Sequence, residues 1–266
     1  MSEDARAFEL GDARMRLVDT GLRAPLLLIH GFPLDHQLWA PQVMAFGQER
    51  RVLAPDLIGF GGSTAHGRPR VEDHADDLAR LLDGLGIRRA VVCGHSMGGY
   101  VALAMWRRHA DRIAGLVLAC TRADADDAAG REGRAALAAR LSDAGMAPLV
   151  EAMPQRLLAP GASPALREQA AAMIRRQPTA GSIAALGAMA ARPDAGPELS
   201  TIDVPCLVIT GAEDQLIDPE ASRSMAARIP DARLQLVPGA GHLANLEEPG
   251  AFNAAMRAFL GRIDAA

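Results

Sequence analysis

One stretch, Val91 to Tyr100, constrains the fold more than any other. Val91-Val92-Cys93 is an apolar run that stops at Gly94-His95-Ser96-Met97-Gly98-Gly99, and a helix-compatible run, Val101 to Trp106, follows at once. A strand that turns this abruptly into a helix lifts the residue at its apex above the sheet edge, and that residue is Ser96. The helix start beside it offers N–H groups with no intrahelical acceptor. Glycines at 94 and 98 fit the turn, because a side chain there would collide across it.

Apolar runs and their punctuation organise the rest of the chain. Residues 25–29 are continuously apolar, the pattern of a parallel strand buried on both faces, and they end in His30-Gly31-Phe32-Pro33. Similar short strands are predicted at 52–54, 90–93, 115–120, 204–210 and 233–237. Residues 13–18 alternate loosely and predict an edge strand, with a turn at 19–24. Helices are predicted at 39–46, at 71–85 with Leu78, Leu81, Leu82 and Leu85 on one face, from the elbow to about 109, at 219–229 and at 248–263. Strands alternating with helices imply parallel pairing, right-handed crossovers and helices on both faces of a twisted sheet. Ligands of such sheets gather at the carboxyl ends of the strands.

Residues 122–196 break this rhythm. They are rich in Ala, Arg, Leu and Met, carry no strand-like run, and predict short helices interrupted at Pro148, Pro154, Pro160, Pro164 and Pro178. The expected organisation is a core built from 1–121 and 197–266, with 122–196 inserted as a helical cap. Its methionines (Met146, Met153, Met173, Met189) are read first as helix packing, with some of them lining an apolar pocket over Ser96. Such a roof would restrict substrates to small or medium acyl groups.

The chemistry is concentrated at predicted strand ends. Serine needs a base within hydrogen-bond reach, and the base needs an orienting carboxylate. Gly241-His242 ends the last predicted strand and Gly211-Ala212-Glu213-Asp214 the one before it, so Ser96, Asp214 and His242 form a candidate triad, with Glu213 and Asp218 as rivals for the acid. His36, His66, His74 and His109 fall in polar or helical stretches that read as surface. His30 is expected to brace its loop, and Asp56 to anchor the glycine-rich loop at 55–63.

These motifs, together with Leu28-Ile29-His30-Gly31-Phe32-Pro33 and Pro55-Asp56-Leu57-Ile58-Gly59-Phe60-Gly61-Gly62-Ser63, resemble those of the α/β-hydrolase superfamily over nearly the whole chain. Residues 31–39 (Gly-Phe-Pro-Leu-Asp-His-Gln-Leu-Trp) and 241–249 (Gly-His-Leu-Ala-Asn-Leu-Glu-Glu-Pro) are similar to those of small carboxylesterases and 3-oxoadipate enol-lactonase-like proteins. The resemblance implies the α/β-hydrolase fold, with a mostly parallel central sheet, flanking helices and a helical cap. It also implies a serine hydrolase of esters or lactones acting through an acyl-enzyme without a cofactor. It places an oxyanion hole at the backbone N–H groups of Phe32 and Met97, and the substrate against Phe32, His95 and Leu243. The same triad serves cofactor-free perhydrolases, described as haloperoxidases, and carbon–carbon bond hydrolases. Dehalogenases and epoxide hydrolases of this scaffold are disfavoured, because they need a carboxylate where Ser96 stands. A non-catalytic ligand-binding receptor is the alternative from another class.

Composition narrows the partners. The net charge of −4 gives no broad attraction to nucleic acid or anionic membrane, and no apolar run reaches the length of a membrane span. Residues 1–12 lack the basic-then-apolar pattern of a signal peptide. The three cysteines, Cys93, Cys120 and Cys206, lie in separate apolar runs, which points away from a disulfide framework and toward a reducing, cytoplasmic location. No Cys/His spacing matches a metal site. The expected partner is therefore a small-molecule ester or lactone.

Overall fold

The computed structural model describes residues 5–21 and 24–265. Among the described residues eight strands form one sheet: β1 (Ala5–Glu9), β2 (Arg14–Asp19), β3 (Pro25–Ile29), β4 (Arg51–Pro55), β5 (Ala90–His95), β6 (Ile113–Ala119), β7 (Cys206–Gly211) and β8 (Ala232–Val237). Their spatial order is β1-β2-β4-β3-β5-β6-β7-β8. β1 pairs antiparallel with β2, and β2 antiparallel with β4. All later pairs are parallel. Successive side chains of a strand point to opposite faces, so the unbroken burial of β5 and β7 means that both faces of the sheet are covered there. β8 alternates between exposed and partly buried along most of its length, as an outer strand should.

The expected edge strand at 13–18 is corrected by this order. β2 is the second strand, and β1 lies outside it. β1 is short and largely exposed, so its sequence carries almost no apolar alternation to announce it. The turn expected at 19–24 includes residues 22 and 23, which lie outside the described residues, as do residues 1–4 of the N-terminal stretch.

The helices of the core are α1 (Ala40–Phe46), α2 (Val71–Gly84) and α3 (Met97–His109). Four further helices stand between β6 and β7: α4 (Ala128–Ala144), α5 (Ala147–Leu157), α6 (Pro164–Arg175) and α7 (Thr179–Ala191). The chain then returns to the sheet and continues through α8 (Pro219–Arg228), the short α9 (Ala244–Glu247) and α10 (Pro249–Asp264). α2 packs on α3 and α1 on α10, while α4 packs on α7 and α5 on α6. Pro148 and Pro164 open their helices, where a missing N–H is harmless, but Pro154 does not interrupt one. It lies inside α5, in the last turns before Leu157.

The elbow owes its shape to two close approaches. A Cβ on Gly94 would sit 2.2 Å from the Gly98 carbonyl oxygen, and one on Gly98 would sit 2.3 Å from that of Ile29. Both positions therefore require glycine for β5, β3 and the start of α3 to meet. Among the described residues, no helix is long and apolar enough to cross a membrane.

Candidate active site

Ser96 stands between β5 and α3 with φ 53°, a left-handed backbone that a non-glycine residue adopts only when its surroundings enforce it. The surroundings do so. The Ser96 N–H donates to Ala119 in β6 at 2.9 Å, and its carbonyl accepts from the Thr121 hydroxyl at 2.8 Å. The loop after β3 presses against it: a Cβ on Gly31 would lie 3.0 Å from the Ser96 Cβ and 2.6 Å from His95 Nδ1. The next residue, Phe32, is thereby carried to the serine. Among the described residues neither the Phe32 N–H nor the Met97 N–H makes a hydrogen bond.

His242 lies in the loop after β8 and is fully buried. Its Nδ1–H donates to the Asp214 carboxylate at 2.7 Å, which fixes the tautomer and leaves Nε2 as the acceptor. That Nε2 has no partner among the described residues. Asp214 is held in turn by the N–H groups of Leu216 and Ile217, at 2.8 and 3.0 Å. Burial alone would raise its pKa. The charge and hydrogen bond of His242, with those two N–H donors, outweigh burial and keep it below the ordinary carboxylate value. Its rivals do other things: Glu213 is exposed, and Asp218 caps α8 through the Glu220 N–H.

His95 links the serine to the histidine. Its Nε2–H donates to the His242 carbonyl at 2.7 Å, and the two rings lie 5.0 Å apart. Burial, with the neighbouring His242, lowers its pKa to about 3, so the ring is neutral. His95 is thus packed beneath the site, and the expectation that it lines the substrate pocket is corrected. Leu243 is corrected in the same way: it is fully buried, and its N–H bonds the Leu157 carbonyl of α5. Both side chains flank candidate reacting residues in sequence but are buried and do not line the cavity.

Ser96 and Phe32 open into a cavity of about 440 Å³. Its wall includes Leu137, Met153, Leu186 and Met189 from α4, α5 and α7, so helices between β6 and β7 share this cavity with the serine. Met146 and Met173 do not face it. The wall is less apolar than the sequence suggested, because Arg122, Asp126, Arg134 and Arg156 also line it. These four were missed because nothing in their spacing distinguishes them from solvated helix charges.

Two other expected surface histidines are buried. His36 donates from Nδ1 to Asp56 at 2.7 Å, and Leu57 donates its N–H to His30 Nε2 at 2.9 Å, so His30 does brace its loop. His74 is enclosed in the core, where burial drives its pKa down to about 3. Asp56 also accepts from the Gly62 N–H and so anchors the glycine-rich loop, as expected. Asp35, His36 and Asp56 bring three ligand-type atoms within 4.8 Å of one another. A cation already serves this cluster, since Arg176 contacts Asp35 at 2.6 and 2.8 Å.

A sequence model of the α/β hydrolase fold matches residues 24–249. The chain belongs to the α/β-hydrolase family. Among its α/β-hydrolase relatives, RutD of Caulobacter sp. (strain K31), a proposed carbamate hydrolase, is 33% identical over 249 residues, covering 90% of this chain and 91% of that protein. Of solved structures, a thermophilic esterase from Thermogutta terrifontis, described with malate bound, is 37% identical, with a TM-score of 0.92 over 97% of both chains. The enol-lactonase from Burkholderia xenovorans LB400 is 30% identical, with a TM-score of 0.89 over 96% of this chain and all of that one. Membership identifies this α/β hydrolase as a hydrolase whose neighbours act on esters and lactones.

Proposed function

We propose that this protein is a serine hydrolase of small or medium carboxylic esters or lactones, acting through an acyl-enzyme. The observation that carries the reading is the buried Asp214–His242 pair, with an unpartnered Nε2, packed on His95, whose neighbour Ser96 is held in a strained left-handed turn and lines a cavity. In this mechanism Ser96 Oγ attacks the substrate carbonyl as His242 Nε2 takes its proton. Asp214 holds the imidazole tautomer and stabilises the imidazolium. The N–H groups of Phe32 and Met97 receive the oxyanion, a contribution of about 3–4 kcal/mol for each well-placed donor. His242 returns the proton to the leaving alkoxide, and water, deprotonated by the same nitrogen, releases the acid. The helices between β6 and β7 act as a cap over the site, and the three buried, unpaired cysteines suit a reducing cytoplasm.

A second reading, carbamate hydrolysis, is favoured by the likeness to RutD. It uses the same attack on a carbonyl and differs in the leaving group. The test is labelling with a serine-directed phosphonate alongside hydrolysis of p-nitrophenyl butyrate and a matched carbamate. Labelling at one equivalent on Ser96 with rapid ester turnover is expected, and Ser96→Ala should lose at least about three orders of magnitude. An unlabelled protein, or a Ser96→Ala variant that keeps a tenth of the activity, would overturn the acyl-enzyme. Labelling without turnover of either substrate would point to a ligand-binding receptor.

A further inference from the structure

The roof of the cavity is positively charged in a way that folding does not require. Asp126 is nearly fully buried and is contacted by three guanidinium groups, those of Arg122 (2.5 Å), Arg134 and Arg192 (2.9 Å). Burial would raise its pKa, but Arg134 and Arg192 hold it at about 2. One carboxylate needs one counter-charge, and Arg192 supplies it. Arg192 is itself buried, stacks 4.0 Å from the Tyr100 ring, and spends further donors on the Met189 and Asp124 carbonyls. Arg122 and Arg134 line the cavity instead. Arg122 Nε is a buried donor without an acceptor. Arg156, also in the wall, makes no hydrogen bond or ion pair among the described residues. Arg122 immediately follows Thr121, whose hydroxyl bonds the Ser96 carbonyl, so this charge begins one residue from the backbone contact that fixes the serine.

We propose that Arg122, Arg134 and Arg156 form a subsite for a carboxylate carried at the far end of the acyl group, so that the preferred substrates are hemiesters of dicarboxylic acids. The subsite rests on the reading of Ser96 as nucleophile and adds the substrate class. A guanidinium fork matches a carboxylate geometrically, and the apolar side chains Leu137, Met153 and Met189 would enclose the methylenes between the two ends. In a cavity partly closed to water this charge discriminates more than it would on an open surface.

The experiment compares mono-p-nitrophenyl glutarate with p-nitrophenyl pentanoate, which share chain length and leaving group and differ by one terminal charge. The wild-type protein should favour the anionic ester by about tenfold or more in kcat/KM at low salt, mainly through KM. Arg156→Gln and Arg134→Gln should each lower that ratio at least about fivefold, as should added sodium chloride on the wild-type protein. Circular dichroism reports that each variant is folded. Glutarate binding, measured by calorimetry, reads the subsite without turnover, and it should weaken at least about fivefold in both variants. A wild-type ratio near one, a ratio indifferent to both substitutions, or glutarate binding unchanged by both would overturn the subsite. If neither ester is hydrolysed while glutarate binding depends on the arginines, the esterase reading fails and the anion site stands.

Discussion

The Asp35–Arg176 pair joins the loop that carries Phe32 to the end of α6, and its disruption should be both large and pH-dependent. The Asp35 carboxylate is 2% exposed and accepts two hydrogen bonds from Arg176, one from Gln177 at 2.9 Å and one from the Gln37 N–H at 3.0 Å. Arg176→Met keeps the apolar stem but leaves a buried carboxylate facing only neutral donors. Breaking a fully buried pair costs about 3–5 kcal/mol. Arg176 is 37% exposed, so water re-enters its side of the gap, and about 2–3 kcal/mol is the expected loss at pH 7. Asp35→Asn retains the size and the cap of the following 3-10 turn. The coupling in the cycle completed by the double variant should therefore exceed about 1.5 kcal/mol, against the 0.2–1 kcal/mol typical of exposed pairs. Burial pushes the Asp35 pKa up, but Arg176 and Gln177 hold it below its unfolded value of 3.8. Its contribution is thus complete above that value and is lost as pH falls through the folded pKa. In Arg176→Met burial dominates and the carboxyl takes up a proton earlier, so the deficit should shrink between pH 7 and pH 4. Urea titrations followed by the fluorescence of Trp39 and Trp106, both buried, measure this. A coupling under about 0.5 kcal/mol, or a deficit constant with pH, would refute the reasoning.

Three further outcomes follow from the site and the core. Asp214→Asn should lower kcat by about four orders of magnitude by favouring the wrong imidazole tautomer, while Asp218→Asn, at an exposed helix cap that asparagine also makes, should cost little stability and little activity; the reverse ranking would reassign the acid. On neutral p-nitrophenyl esters, efficiency should peak at short acyl chains, as a roofed cavity of about 440 Å³ requires, and an optimum at twelve carbons or more would show that the roof opens into a groove. His74 and His95 have folded pKa values near 3 against 6.5 unfolded, so the unfolded chain binds more protons between those limits and stability should fall with acidification below pH 6.5. Each contributes a slope of about 1.4 kcal/mol per pH unit, opposed by His36, whose pKa Asp56 raises against burial; a His74→Leu variant with an undiminished slope would contradict this.

The parts of this molecule that were legible in its sequence are those that local rules enforce. The elbow was readable because Gly94 and Gly98 are required by backbone contacts, and the central strands because burial on both faces leaves unbroken apolar runs. β1 was not readable, since an exposed edge strand has no apolar face to keep. The buried charges were not readable either. Asp35, Asp126, His36 and His74 resemble surface residues in any window; burial of the first three is made possible by partners far along the chain, such as Arg176 for Asp35 and Arg192 for Asp126, whereas His74 Nδ1 is buried without a partner among the described residues. His95 and Leu243 show the complementary error: adjacency in sequence to a reacting residue places a side chain beside the site's backbone, yet both are buried and neither lines the cavity.

The four helices α4 to α7 leave the sheet after β6 and return to it at β7, which are hydrogen-bonded neighbours. A segment that departs and re-enters through adjacent doorways can be exchanged for another without disturbing the order or register of any strand. The exchange is constrained by a few rivets: Arg176 and Gln177 on Asp35, Gln177 on the Gly61 N–H, and Glu247, whose two oxygens clasp the Ala159 N–H of the roof and the Gly241 N–H beside His242. Grafting a foreign roof onto this chassis would preserve bond-breaking power only if those rivets travelled with it. New selectivity could then be installed through the roof alone, with the reacting residues left in their original seats.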